Sequence, residues 1–185
     1  PGADEYRGGM VVYKDHGFRV ERAPDGTIKV GFHNASPGWG KSIDTGLVAP
    51  EDLWSHIAIA YDYNTDDDTP IQQATVHLFS GVNNDGSYDS LESYSFYISG
   101  SIYDWGKDIY VGDKEDFGTT TSTPFTFEGD IEQVRMWDKA LSTAEIQQYL
   151  LTPEVTEDSG IVGLWRFDEG FGRKISDISG NDKDG

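Results

Sequence analysis

Hydrophobic and polar residues alternate in short runs along most of this chain, the period of strands with one face buried. Met10 to Tyr13 and Gly17 to Glu21 read as two short strands around a turn at Asp15-His16-Gly17. Asp25-Gly26 is a hairpin turn signal, after which Ile28, Val30 and Phe32 face one way and Lys29 and His33 the other. Asn34 to Gly40 forms a turn-rich loop containing Trp39. His56 to Tyr63 reads as a strand with Ile57, Ile59 and Tyr61 on one face, followed by an acidic loop from Asn64 to Pro70. Ala74 to Ser80 and Ser93 to Ser99 are strands joined by Gly81 to Glu92, and Ile109 to Gly112 is another that ends at the acidic turn 113–116.

The run from Phe125 to Leu150 carries the most specific local signals. Phe125 and Phe127 alternate with Thr126 and Glu128 as in a half-buried strand, Gly129 and Asp130 interrupt it, and Ile131, Val134, Met136 and Trp137 carry the chain back across a core. The period then changes. Ser142 and Glu145 have the spacing of a capping box, in which the hydroxyl accepts from the Glu145 amide and the carboxylate from the Ser142 amide. Leu141 and Ile146 stand at the two positions of a hydrophobic staple, Ile146, Tyr149 and Leu150 recur at helical spacing, and Pro153 stops the helix. One short helix near residues 142–150 is expected. A linker from Thr152 to Ser159, a last strand from Ile161 to Asp168 and a Gly/Ser/Asp-rich tail complete the chain.

Many short strands between turn residues, with one late helix, argue for an all-β sandwich. The 185 residues suffice for one domain with a two-sheet core, and 22 glycines against two methionines suit strands and turns. The formal charge of −19 repels phosphate backbones and anionic membrane surfaces, which argues against nucleic-acid partners, and it attracts cations. Cysteine is absent, so disulfide scaffolds, thiolate zinc sites and thiol nucleophiles are excluded. No apolar run approaches the roughly 18 residues of a membrane helix, and membrane insertion is not expected. The chain opens as if excised from something longer.

Gly129, Ile131, Val134, Trp137, Ala140, Leu141, Ser142, Glu145 and Ile146 resemble the signature of laminin-G-like and pentraxin-like domains, which are concanavalin A-like jelly rolls. Further similarity lies at 54–58, at 109–112, and at 160–170 with 179–181, in the order those domains have. The resemblance implies a two-sheet antiparallel jelly-roll sandwich over residues 1–185. It also implies an opening Asp-Gly strand and a second strand before Met10, which nothing here matches: either the chain is cut inside the domain or another segment fills those places. The stretch at 165–170 occurs in such domains both as a closing strand and as the opening of a following copy, and the closing strand is the reading adopted.

Pentraxin-like domains place a calcium-binding acidic turn after the strand matching Ile109 to Gly112. The resemblance therefore implies Ca²⁺ at Asp113, Glu115 and Asp116, hard oxygen ligands completed by carbonyls and a neighbouring carboxylate. The stretch from Thr119 to Phe127 lacks a further acid that pentraxins have there, which disfavours a second ion. From spacing alone, Asn83, Asp85, Asp89 and Glu92 fall at the third, fifth, ninth and twelfth positions of a calcium loop around Gly86, although Gly81 at the first has no side-chain oxygen; the alternative is a polar hairpin loop. Asp66 to Asp68 form a further acidic run that reads as a solvated loop. Trp54, Trp137 and Trp165 sit in apolar strand patterns and read as core. Trp39 and Trp105, in glycine-flanked loops, either plug the end of the sandwich or stack on the apolar face of a sugar.

Two catalytic families share this jelly roll. The Glu-x-Asp-x-x-Glu strand of the glucanase type is absent, as are the Gln-x-His and Arg-rich strands of the lyase type, and His16, His33, His56 and His77 are isolated in sequence. The expected function is a non-catalytic, calcium-dependent carbohydrate-binding or adhesion module of a large extracellular or cell-surface protein. Its expected partners are glycans or cell-surface polysaccharide and other domains of the same chain. The alternatives are a structural or protein-interaction domain without a small ligand and, more remotely, a polysaccharide-active enzyme.

Overall fold

The computed structural model describes residues 9–33, 42–63, 72–98, 102, 106, 108–113, 126–151, 160–171 and 174–185. Ten strands and one helix follow in chain order: β1 (Gly9–Lys14), β2 (Phe18–Arg22), β3 (Thr27–Phe32), β4 (Ile43–Val48), β5 (Ser55–Tyr63), β6 (Gln72–Ser80), β7 (Ser90–Ile98), β8 (Ile109–Val111), β9 (Val134–Trp137), α1 (Thr143–Leu151) and β10 (Ile161–Trp165). They form a five-stranded sheet in the order β4-β3-β2-β1-β8, a three-stranded sheet β5-β6-β7 and a two-stranded sheet β10-β9. All strand pairs are antiparallel.

The two larger sheets enclose the main core. Val20, Ile28, Val30, Phe32, Leu47 and Ala49 come from the first, and Ala74, Val76, Leu78 and Phe96 from the second. Side chains of a strand alternate between faces, so the even-numbered residues of β6 enter this core and Gln73, Thr75, His77 and Phe79 point outward. A second, smaller cluster lies on that outward side, where Phe79, Leu141 and Ile146 are buried together and Trp137, Tyr149 and Leu91 pack around them. Removing apolar surface from water at about 25 cal/mol per Å² is what holds α1 to the sheet.

The hairpin at Asp25-Gly26 forms as expected. The Thr27 amide donates to Asp25 Oδ1 at 3.0 Å, and Gly26 takes φ +87°, a conformation that a Cβ would strain. Strand β4 has no counterpart in the sequence reading. Its buried Thr45 and Leu47 do alternate with exposed residues, but Gly46 lies at φ +68° and the β3–β4 register shifts between Thr27 and Lys29. A bulge of this kind hides a strand behind turn-like residues. The strand expected at Phe125–Glu128 is reduced to one bridge, Thr126 to Met10, with Phe125 outside the described residues. Phe127 is tied instead to the Gly112 carbonyl at 2.7 Å, and regular pairing resumes only at Val134.

The helix starts as its capping box dictates. The Ser142 amide donates to Glu145 Oε2 at 2.7 Å, and the Glu145 amide donates to Ser142 Oγ at 3.3 Å. Both staple residues are buried. Strand β10 runs antiparallel to β9, with Trp165 opposite Val134. The tail then folds back on it. The Asp177 carboxylate accepts from the Leu164, Ser179 and Lys183 amides, and the Trp165 indole donates to the Lys183 carbonyl at 2.9 Å.

Candidate functional site

Strand register fixes which loops share an end of the sandwich. At one end lie the close of β1, the start of β8 and the close of β3, through Lys14 opposite Ile109 and Phe18 opposite Phe32. The row Tyr63–Gln72–Ile98 of the facing sheet belongs to the same end, because Phe32 stacks on Tyr61 and touches Phe96. The opposite end holds Gly9 beside Arg22, Thr27 beside Val48, and the row Ser55–Ser80–Ser90.

Residues 34–41, with Trp39, follow the close of β3, and residues 99–108, with Trp105, lie between the close of β7 and the start of β8. Both therefore leave from the first end. Strand β8 closes at the second end, with Asp113 two residues beyond Val111. Asp113 is exposed there, where its Oδ2 accepts from Thr126 Oγ1 at 3.3 Å. Trp39, Trp105, Glu115, Asp116 and Asp66 to Asp68 lie outside the described residues.

The other calcium-loop candidate also sits at the second end, between β6 and β7. It is a hydrogen-bonded turn: the Ser87 amide and hydroxyl both donate to Asp85 Oδ1, at 2.9 and 2.6 Å, and the Asn83 amide nitrogen donates to Ser87 Oγ at 3.1 Å. Those bonds, the Ser87 hydroxyl's first, hold the Asp85 carboxyl below its usual range. Asp89 is turned against Gly81, and Glu92 is carried away on β7, opposite Leu78. Among the described residues no three His, Cys, Asp or Glu side chains converge as metal ligands.

Trp54 corrects the sequence reading. It is not core: the side chain is 49% exposed at the second end, next to Leu53 at 53% and close in sequence to Val48 at 49%. Its carbonyl accepts the Val82 amide at 2.9 Å, which ties it to the stem of the Asn83 loop. The alternation that suggested burial is genuine in β5, but Trp54 precedes the strand, and among the described residues no element covers it. Trp137 is partly buried in the smaller cluster, with its ring 5.2 Å from Tyr149. Trp165 is half-buried outside both clusters and lies over Gly163, where a Cβ would run into the indole.

The histidines are less isolated than their spacing suggests. His16 and His33 meet edge to face at 4.8 Å, with His16 Nδ1 2.8 Å from Asp15 Oδ2 and the Tyr13 hydroxyl donating to Asp15 Oδ1 at 3.1 Å. His56 packs against Phe79, and burial, reinforced by the charge of Arg135, pushes it down to about 4.

The family model of Laminin_G_3, described as concanavalin A-like lectin/glucanases superfamily, matches residues 1–147, from ahead of β1 into α1. No curated protein and no solved structure matches the chain. With the match spanning most of the sequence and two antiparallel sheets enclosing one core, the chain belongs to this Laminin_G_3 family of lectin-like and adhesion-type domains.

Proposed function

We propose that the chain is a non-catalytic, calcium-dependent carbohydrate-binding module of a large extracellular or cell-surface protein. The observation that carries this reading is the exposed Trp54 at the end of the sandwich where the acidic turn begins. An indole face covers the apolar side of a pyranose, while carboxylates and an ion take its hydroxyls. In this reading Asp113, Glu115 and Asp116 hold Ca²⁺ and Trp54 is the platform. Trp39 and Trp105, which lie outside the described residues, are the further stacking platforms the sequence offers for the glycan. A glycan array probed with and without chelator tests it. Chelation and Asp113→Ala are expected to abolish binding, and Trp54→Ala to weaken it at least tenfold. Binding that survives chelation removes the ion, and absence of binding to any glycan removes the reading.

The second reading is a protein-contact domain without a small ligand. Val48, Leu53 and Trp54 favour it, as large apolar side chains each about half exposed at one end. It predicts that Trp54→Ala disrupts adhesion to protein-coated surfaces and leaves the glycan array blank.

A further inference from the structure

The outward face of β5-β6-β7 is apolar only where α1 covers it. Beside the segment that leads into the helix a cleft of about 430 Å³ opens, within the range of small-ligand sites. Its floor is Ala60 and Asp62 of β5 with Gln73, Thr75 and His77 of β6, and Ser93, Ser95 and Tyr97 of β7 stand opposite His77, Thr75 and Gln73 in the adjoining strand. The short Ala60 side chain leaves the depth, and the segment from Ala140 to Thr143, ahead of and into α1, stands as the wall.

The polar groups on this floor are positioned, and part of their capacity is uncommitted. His77 is 6% exposed, and its Nδ1 is 2.7 Å from Ser93 Oγ. Thr75 Oγ1 and Ser95 Oγ are 2.8 Å apart. These cross-strand bonds fix the imidazole and the hydroxyls, and each hydroxyl still has a further donor or acceptor position. His77 Nε2, the Gln73 amide and the Asp62 carboxylate have no side-chain hydrogen bond among the described residues. Burial lowers the His77 pKa, so the ring is neutral at physiological pH. Tyr97, opposite Gln73, is 73% exposed.

We infer that this cleft is a second saccharide site, one that takes a neutral pyranose without calcium. An amide, a carboxylate, a neutral imidazole and hydroxyls over an alanine floor match the alternating donors and acceptors of sugar hydroxyls, and Tyr97 offers a ring to the next residue of an oligosaccharide. Among the described residues no lysine or arginine lines the cleft, and Asp62 repels carboxylates and sulfates, which sets neutral sugars apart from acidic ones. The choice of a sugar as occupant rests on the glycan-binding reading above, but the site does not share its residues or its ion.

The test titrates isotope-labelled protein in EDTA with cellotetraose, laminaritetraose, maltotetraose and mannotetraose, with tetragalacturonate as the acidic counter-probe. At least one neutral tetrasaccharide is expected to shift the amides of residues 60–62, 73–77, 93–97 and 140–143, and the uronate to shift none. Thr75→Arg, which fills the cleft, is expected to remove the response, and Gln73→Ala to weaken it about tenfold. Should Thr75→Arg not fold, Gln73→Ala and Tyr97→Ala decide. No shift with any neutral probe, shifts confined to other residues, equal response to the uronate or undiminished binding by the variants would overturn the inference. Loss of calcium-dependent array binding, with these shifts intact, would strike the rim site alone.

Discussion

The outer face of β6 contains two regions that share one backbone ladder and differ in what lies above them. At one end Phe79 is fully buried beneath Leu141 and Ile146. At the other, Gln73 and Thr75 look into an open cleft. Both halves make the same antiparallel pairing to β5 and β7. The difference is therefore set by side chains and by where the helix begins. A sheet face that is covered must be apolar, and an uncovered one can keep polar groups without desolvation cost. The covered half holds the fold together, and the open half is free to bind.

The strongest test of that contrast removes the ring at the centre of the covered half. Phe79→Ala is expected to destabilise the domain by about 3–5 kcal/mol, since α1 is held largely through this cluster and cannot close over the void. Thr75→Ala, two positions along the same strand on the same face, is expected to change stability by less than about 1 kcal/mol. Urea unfolding of the two variants measures both. Equal losses would mean that the halves are not energetically distinct.

Proton linkage gives the next largest effect, again on the covered side. The folded value of His56 lies at about 4 against an ordinary 6.5, so the folded state favours the neutral ring. Above pH 6.5 this contribution is fully present. As the pH falls from 6.5 towards 4 the unfolded chain takes up the proton first, and up to about 3 kcal/mol is lost. Thermal melts between pH 7 and 4.5 should decline for the wild type and lose most of that slope in His56→Phe. The carboxylates act lower. Burial alone would raise Asp177, but hydrogen bonds from Leu164, Ser179 and Lys183 outweigh it and leave it lowered. The stability it confers is present above its ordinary 3.8 and disappears only as the pH drops below that. A slope unchanged in His56→Phe would show that the ring is not held neutral.

What the sequence revealed depended on how far apart the responsible residues lie. Ser142, Glu145, Leu141 and Ile146 act within five positions of one another, so the cap and staple were readable and the helix begins where they place it. Strands with uninterrupted alternation, such as β3, β5 and β6, were readable for the same reason. Strand β4 was not, because a positive-φ Gly46 and the shifted register look like a turn. Trp54 was misread because its apolar context cannot say whether a neighbouring element covers it. The cleft needs two strands in register and the distant segment that leads into the helix, and no local pattern encodes that combination.

The boundary between the two halves is the helix cap itself, and it gives the smallest and sharpest prediction. Ser142 accepts from the Glu145 amide through Oγ, and its own amide is held by the Glu145 carboxylate, which Lys139 Nζ also approaches at 3.3 Å. The Ser142 amide, the Ser142 hydroxyl and Lys139 all hold the Glu145 carboxyl below its usual range. Ser142→Ala deletes the hydroxyl acceptor and is expected to cost about 1 kcal/mol. Glu145→Gln keeps an oxygen acceptor but no charge, and should lose less at pH 7. As the pH falls through the lowered Glu145 value, the wild type should approach the Gln variant, because protonation removes the same charge. Hydrogen exchange locates the effect. In Ser142→Ala, amides of the first turn of α1 should exchange faster, while those of β6 beneath Phe79 keep their protection. If β6 loses protection as well, the cap is part of the covered half's cooperative unit, and the cleft wall cannot move without unfolding the cluster.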